Sequence, residues 1–81
     1  MQGKRIYLNK DNELYLREGE YGKHKDGNWY CRPPSFYTGS LAKHNVIENI
    51  DGTITVSPSI LITQGSEEWH GYLENGIWRK C

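Results

Sequence analysis

The 81 residues leave room for one domain and no second. Ten Lys and Arg balance ten Asp and Glu, and 36% of the chain is hydrophobic. That argues against a nucleic-acid binder living on a basic excess, and against a large core. No apolar run approaches the ~20 residues that span a bilayer, and none follows the N-terminus as in a secretory leader. The expectation is one β domain over residues 1–81, cytoplasmic, with no membrane partner and no nucleic acid.

No segment keeps a helical period for three turns; apolar residues alternate instead, punctuated by Gly, Asn and Asp. Ile6 and Leu8 share one face with Tyr7 opposed, residues 9–12 form a polar loop, and Leu14 and Leu16 with Tyr15 opposed complete a first hairpin. Residues 18–28 read as a polar connection. Trp29, Tyr30 and Cys31 make a brief strand that Pro33 and Pro34 end, because two prolines withhold two backbone donors. Residues 35–40 read as a loop with Phe36 and Tyr37 packed beneath it, and residues 41–44 as a short helical turn at most.

Residues 46–50 and 53–56 flank Asp51-Gly52, a dipeptide that tolerates the positive φ of a type I′ turn. A two-residue loop sets Ile50 opposite Thr53, Glu48 opposite Thr55 and Val46 opposite Ser57. Ile47, Ile54 and Val56 then line one face. Carried past Pro58, this register brings His44 opposite Ser59, and residues 60–62 resume as a strand. The last hairpin, residues 69–74 and 77–80, turns at Asn75-Gly76. It pairs Glu74 with Ile77, Leu73 with Trp78, Tyr72 with Arg79 and Gly71 with Lys80. Leu73, Trp78 and Trp69 face the core, and Tyr72 lies under Arg79 as a cation–π pair. The sum is all-β: a small, mostly antiparallel sheet of six or seven short strands, curled into a barrel or sandwich.

Two groups of residues could carry function. Pro58 breaks a strand between two serines, and such a break can throw a hydroxyl off the sheet, where a nucleophile must be. Ser57 and Ser59 are the candidates, His70 is the natural base, and Asp51 or Glu48 could orient its imidazole. The competing reading is a strand-breaking corner beside a half-buried histidine. Ten Phe, Trp and Tyr residues also exceed what a small core encloses. Trp29, Tyr30, Phe36 and Tyr37 around the Pro-Pro loop, with Tyr72 and Arg79, form the candidate protein-binding surface. Unpaired strand edges on a neutral domain favour a homodimer. Base stacking by these rings would want a basic groove, of which Lys23, Lys25 and Arg32 are a thin version. Cys31, Cys81, His24, His44 and His70 have no metal-ligand spacing, and Gly19, Gly22 and Gly27 do not make a phosphate loop. No metal and no cofactor is expected.

Residues 48–62, ENIDGTITVSPSILI, and residues 68–81, EWHGYLENGIWRKC, resemble a family of small proteins of uncharacterised function common in bacteriophage and prophage genomes. Its members share the aspartyl-glycyl turn, the V-S-P-S-I-L stretch and the W-H-G-Y-L hairpin, and the likeness covers residues 41–81. The same pattern is similar, more distantly, to serine-peptidase-like domains of bacterial operons for ubiquitin-like conjugation. Those relatives carry a cysteine-rich segment upstream, of which only Cys31 stands here. The first likeness implies a phage or mobile-element protein in a bacterial host cell. The second implies a serine hydrolase in which Ser57 or Ser59 and His70 carry the chemistry. The leading expectation is a binding module for a protein partner, host-encoded or a second copy, with the compact hydrolase as the alternative.

Overall fold

Alternation and turns, with no α-helix, organise the described residues of the computed structural model, which are 1–7 and 15–81. Nine strands follow in chain order: β1 Lys4–Arg5, β2 Glu20–Lys23, β3 Trp29–Cys31, β4 Gly39–Ser40, β5 Asn45–Glu48, β6 Ile54–Ser57, β7 Ile60–Gln64, β8 Glu67–Glu74 and β9 Ile77–Lys80. They form three sheets, β1-β2-β3-β4, β5-β6 and β7-β8-β9, rather than a single one. The sheets do not close into a barrel. They pack as a sandwich-like globule around Tyr21, Cys31, Leu41, Ile54, Leu73 and Trp78.

The loop and most of the hairpin predicted between Ile6 and Leu16 lie outside the described residues. Next to it, β1 lies parallel to β2, with Lys4 beside Glu20 and Arg5 beside Tyr21. The segment read as a polar connection instead holds β2, which pairs with β3 through Tyr21–Cys31, Gly22–Tyr30 and Lys23–Trp29. Residues 1–6 join two sheets. Trp78 N donates to Met1 O (2.8 Å) and Gly3 N to Gly76 O (2.7 Å) along β9, then Lys4 N donates to Gly19 O and Ile6 N to Tyr21 O along β2. Trp78 Nε1 adds a buried bond to Gly19 O, 2.9 Å.

The second hairpin is shifted by one residue from the predicted register. Val46 faces Val56, Ile47 faces Thr55 and Glu48 faces Ile54, across a three-residue loop with Gly52 at φ 90°. Because side chains alternate with period two, that shift reverses β5. Val46 packs on the core, and Ile47 points outward, 58% exposed. Residues 41–44 form a hydrogen-bonded turn, His44 N to Leu41 O at 3.0 Å, and no helix. Within the predicted loop 35–40, Gly39 and Ser40 pair with β3. The last hairpin keeps its predicted register at all four pairs. Among the described residues no helix is long and apolar enough to cross a membrane.

Candidate functional site

The β7–β8 pairing decides which serine meets His70. Ile60 and Ile62 of β7, with Trp69, Gly71 and Leu73 of β8, face inward. Leu61 stands opposite His70 on the outer face. Ser59, one residue before β7, has the same parity as Leu61. Its Oγ lies 2.9 Å from His70 Nε2. With His70 protonated at Nδ1, the Ser59 hydroxyl donates to Nε2, which is the starting geometry of a general-base pair. His44 holds the same residue from the other side, with Nε2 3.1 Å from the Ser59 carbonyl oxygen. Donation from Nε2 leaves Nδ1 of His44 as an acceptor, buried and without a partner among the described residues.

Ser57 is not brought to His70; it sits exposed in β6, opposite Asn45. The two carboxylates predicted to orient the imidazole are occupied elsewhere. Asp51 Oδ1 accepts from Thr53 Oγ1 at 2.6 Å, and Glu48 Oε2 accepts from Arg5 Nη1 at 2.9 Å. Among the described residues the arrangement is therefore a pair and not a triad. A hollow of about 320 Å³ lined by Ser40, Ala42, Lys43, His44 and Leu61 adjoins it through His44 and Leu61.

The predicted aromatic surface divides. Trp29 and Phe36 are each 8% exposed and belong to the core, because the turn after Pro33 folds the loop onto the sheets. Tyr30 is half-buried, its ring edge-on to His24. Tyr37 alone of the loop's rings is open, 46% exposed, and packs its edge against Phe36. Tyr72 lies under Arg79, 4.7 Å from guanidinium to ring centre, and Arg79 Nη2 donates to Glu74 Oε1 at 2.6 Å. Arg5, which nothing in the sequence marked out, stacks on both Tyr7 and Trp29 at 4.9 and 5.0 Å. It also donates to the Gly52 carbonyl at 3.0 Å.

Beside the Pro-Pro loop the structure opens a cleft of about 360 Å³. Pro34, Ser35 and Phe36 form one wall, Met1 another, and Trp69 and Trp78 the floor, with Glu68 and Lys80 also lining it. The two indoles meet edge to face at 5.4 Å. Neither Glu68 nor Lys80 has a hydrogen-bond or ion-pair partner among the described residues. Sequence reasoning placed Phe36 on this side, assigned Trp69 and Trp78 to the core, and missed Met1, Glu68 and Lys80. Only Phe36 was legible as part of a binding surface, through its neighbouring prolines.

Both cysteines are free. Burial pushes the Cys31 thiol up to about 12, so it stays protonated at neutral pH, whereas Cys81 is exposed. Among the described residues no three His, Cys, Asp or Glu side chains gather to hold a metal ion. Compared with protein-family models, curated proteins and solved structures, the chain matches none.

Proposed function

We propose that this domain is a protein-binding module of the phage or mobile-element type, acting in the cytoplasm of a bacterial host on a host-encoded partner or on a second copy of itself. The single observation that carries the reading is the cleft beside the Pro-Pro loop. It is concave, floored by aromatic rings, and lined as well by Met1, Glu68 and Lys80. Aromatic pockets ringed by polar groups are where interface anchors concentrate. The V-S-P-S-I-L and W-H-G-Y-L stretches support the phage-type origin. Affinity purification of the tagged domain from host cells, with sedimentation of the pure domain, tests it. A stoichiometric partner or a dimer supports the reading. A monomer that captures nothing above background overturns it.

The Ser59–His70 contact at 2.9 Å favours a second reading, a serine hydrolase. Ser59 Oγ would attack an acyl carbon as its proton passes to His70 Nε2; the departing group would take that proton, and water would release the acyl-serine. A fluorophosphonate probe should then label the domain and fail on Ser59→Ala. No labelling of the parent removes this reading and leaves the binding one.

A further inference from the structure

Two histidines hold Ser59, one at its hydroxyl and one at its carbonyl, and the ladder of β8 explains why the second is needed. Cys81 N donates to His70 O, so the backbone groups of His70 point toward β9. By the alternation of an antiparallel strand, those of Gly71 point toward β7, where Ile60 is the residue opposite. The backbone of Ser59, one residue before Ile60, is then turned away from β8 toward the edge of β7. Pro58 has no backbone N–H with which to anchor the corner from its other side. His44 stands at that edge, its Nε2 3.1 Å from the Ser59 carbonyl oxygen. A carbonyl oxygen only accepts, so His44 carries a proton on Nε2. His44 is itself tied to the core. Its backbone N–H donates to Leu41 O at 3.0 Å, Leu41 N donates to Trp29 O at 2.8 Å, and the Leu41 side chain is buried. A continuous run of bonds thus leads from β3 through the 41–44 turn to Ser59, and ends on the Ser59 Oγ–His70 Nε2 contact at 2.9 Å.

We infer that His44 is a positioning residue for the Ser59–His70 pair. Its bond goes to the Ser59 backbone and not to the reacting hydroxyl; by fixing the carbonyl it fixes the rotation of the corner that aims Oγ at His70 Nε2. Without that hold, a corner residue after a proline turns its hydroxyl freely, and a misplacement of about an ångström costs a reacting pair on the order of a hundredfold. This deepens the serine hydrolase reading and rests on it for its effect on rate, while the orientation itself is a property of the resting domain.

The test reads both imidazoles by long-range ¹H–¹⁵N spectra of the intact labelled domain above neutral pH, alongside the rate of fluorophosphonate labelling. In the parent, His44 should show a protonated Nε2 and a bare Nδ1, and His70 a protonated Nδ1 and a bare Nε2. Ser59→Ala gives the His70 signature without the hydroxyl. His44→Leu removes the donor, and should give His70 that same signature and slow labelling about a hundredfold. His44→Gln keeps a side-chain N–H donor, and should keep the parent's His70 signature and restore labelling to within about tenfold of the parent. A parent His44 with its proton on Nδ1 alone overturns the inference. So does a parent His70 signature kept in His44→Leu or lost in His44→Gln, and the parent and His44→Gln arms decide the matter where His44→Leu does not fold. A parent that shows both expected tautomers but takes no probe removes the hydrolase reading and leaves the positioning of Ser59 intact.

Discussion

Two Asp-Gly turns and one Asn-Gly turn close hairpins in this chain, and they close them differently. At residues 24–28 and 49–53 the bonds are the same: His24 N to Asn28 O and Gly27 N to His24 O, then Asn49 N to Thr53 O and Gly52 N to Asn49 O. In each, only the glycine has positive φ, and the aspartate accepts from the backbone N–H two residues on. Asn75-Gly76 instead holds both residues at positive φ, 49° and 75°, in a two-residue turn. A carboxylate that can cap a donor two residues ahead favours the local three-residue loop, while asparagine tolerates the left-handed conformation. The aspartyl turns are secured from within. The asparaginyl turn is secured from outside, by Gly76 N on Ile54 O and Asn75 N on Thr55 Oγ1.

If the asparaginyl hairpin is the one wired into the core, breaking it should cost most. Trp78→Ala removes a 4%-exposed indole together with its bond to Gly19 O. The expected loss is ~3–5 kcal/mol, most of the stability of a domain this small, read as a collapse of the urea midpoint. A variant that melts with the parent would show that this hairpin is peripheral.

Next come the turn glycines, which separate strain from crowding. A Cβ at Gly76 would lie 2.8 Å from Thr53 Cγ2 and 2.9 Å from Tyr21 Oη, whereas one at Gly52 would meet nothing within 4 Å. Gly76→Ala should therefore cost ~3 kcal/mol or more by thermal melting, and Gly52→Ala only the ~1–2 kcal/mol of a left-handed Cβ. Equal losses would mean that φ alone matters and that the tertiary wiring of the asparaginyl turn is weak. The aspartyl tip is also held from outside by Arg5, bonded to Gly52 O and Glu48 and stacked on Trp29. Arg5→Met keeps the stem but drops the bonds, and should cost ~1–3 kcal/mol in urea melts.

The same contrast explains what could be read before any coordinates. The Asn75-Gly76 register was legible because that dipeptide admits the two-residue turn and the flanking residues alternate cleanly. Which of Ser57 and Ser59 meets His70 was not legible, because the β7–β8 register decides it. Asp51-Gly52 satisfies the same dipeptide rule, so nothing local announced the carboxylate cap that shifts β5 and turns Ile47 outward. β2 was hidden because Tyr21 is the one large apolar residue among Glu20–Lys23. The stitching of residues 1–6 onto β9 and β2 was hidden because it is made by backbone groups, which every residue carries. The border of the cleft was hidden too, since Met1, Glu68 and Lys80 are distant in sequence and meet only after that stitching.

The smallest effect tests the cap itself, through pH. The Asp26 carboxyl is held below its ordinary range chiefly by the Asn28 backbone N–H, and that of Asp51 chiefly by the Thr53 hydroxyl and then by the Thr53 N–H. A carboxyl with a lowered native pKa binds fewer protons in the folded chain than in the unfolded one across the interval between the two values. Stability therefore rises with pH through that interval, is fully present above the unfolded value near 3.8, and is lost as pH falls through the folded one. Both carboxylates are open to solvent, so the effect is modest and screened by salt. Asparagine keeps an acceptor but cannot titrate. Urea midpoints measured from pH 6 down to pH 2 at low salt should fall less steeply below about pH 4 for Asp26→Asn/Asp51→Asn than for the parent. Asn75→Asp makes the reciprocal change at the other turn. There the side-chain oxygen faces Thr55 Oγ1 at 3.3 Å and Asn49 Nδ2 at 3.4 Å rather than a backbone N–H two residues ahead. A carboxylate there would accept from the Thr55 hydroxyl as Asp51 does from that of Thr53, so the substitution should steepen the acid slope. A slope equal in the parent and the double asparagine variant would mean the caps do not hold the three-residue loops, and the register of β5 would need another cause.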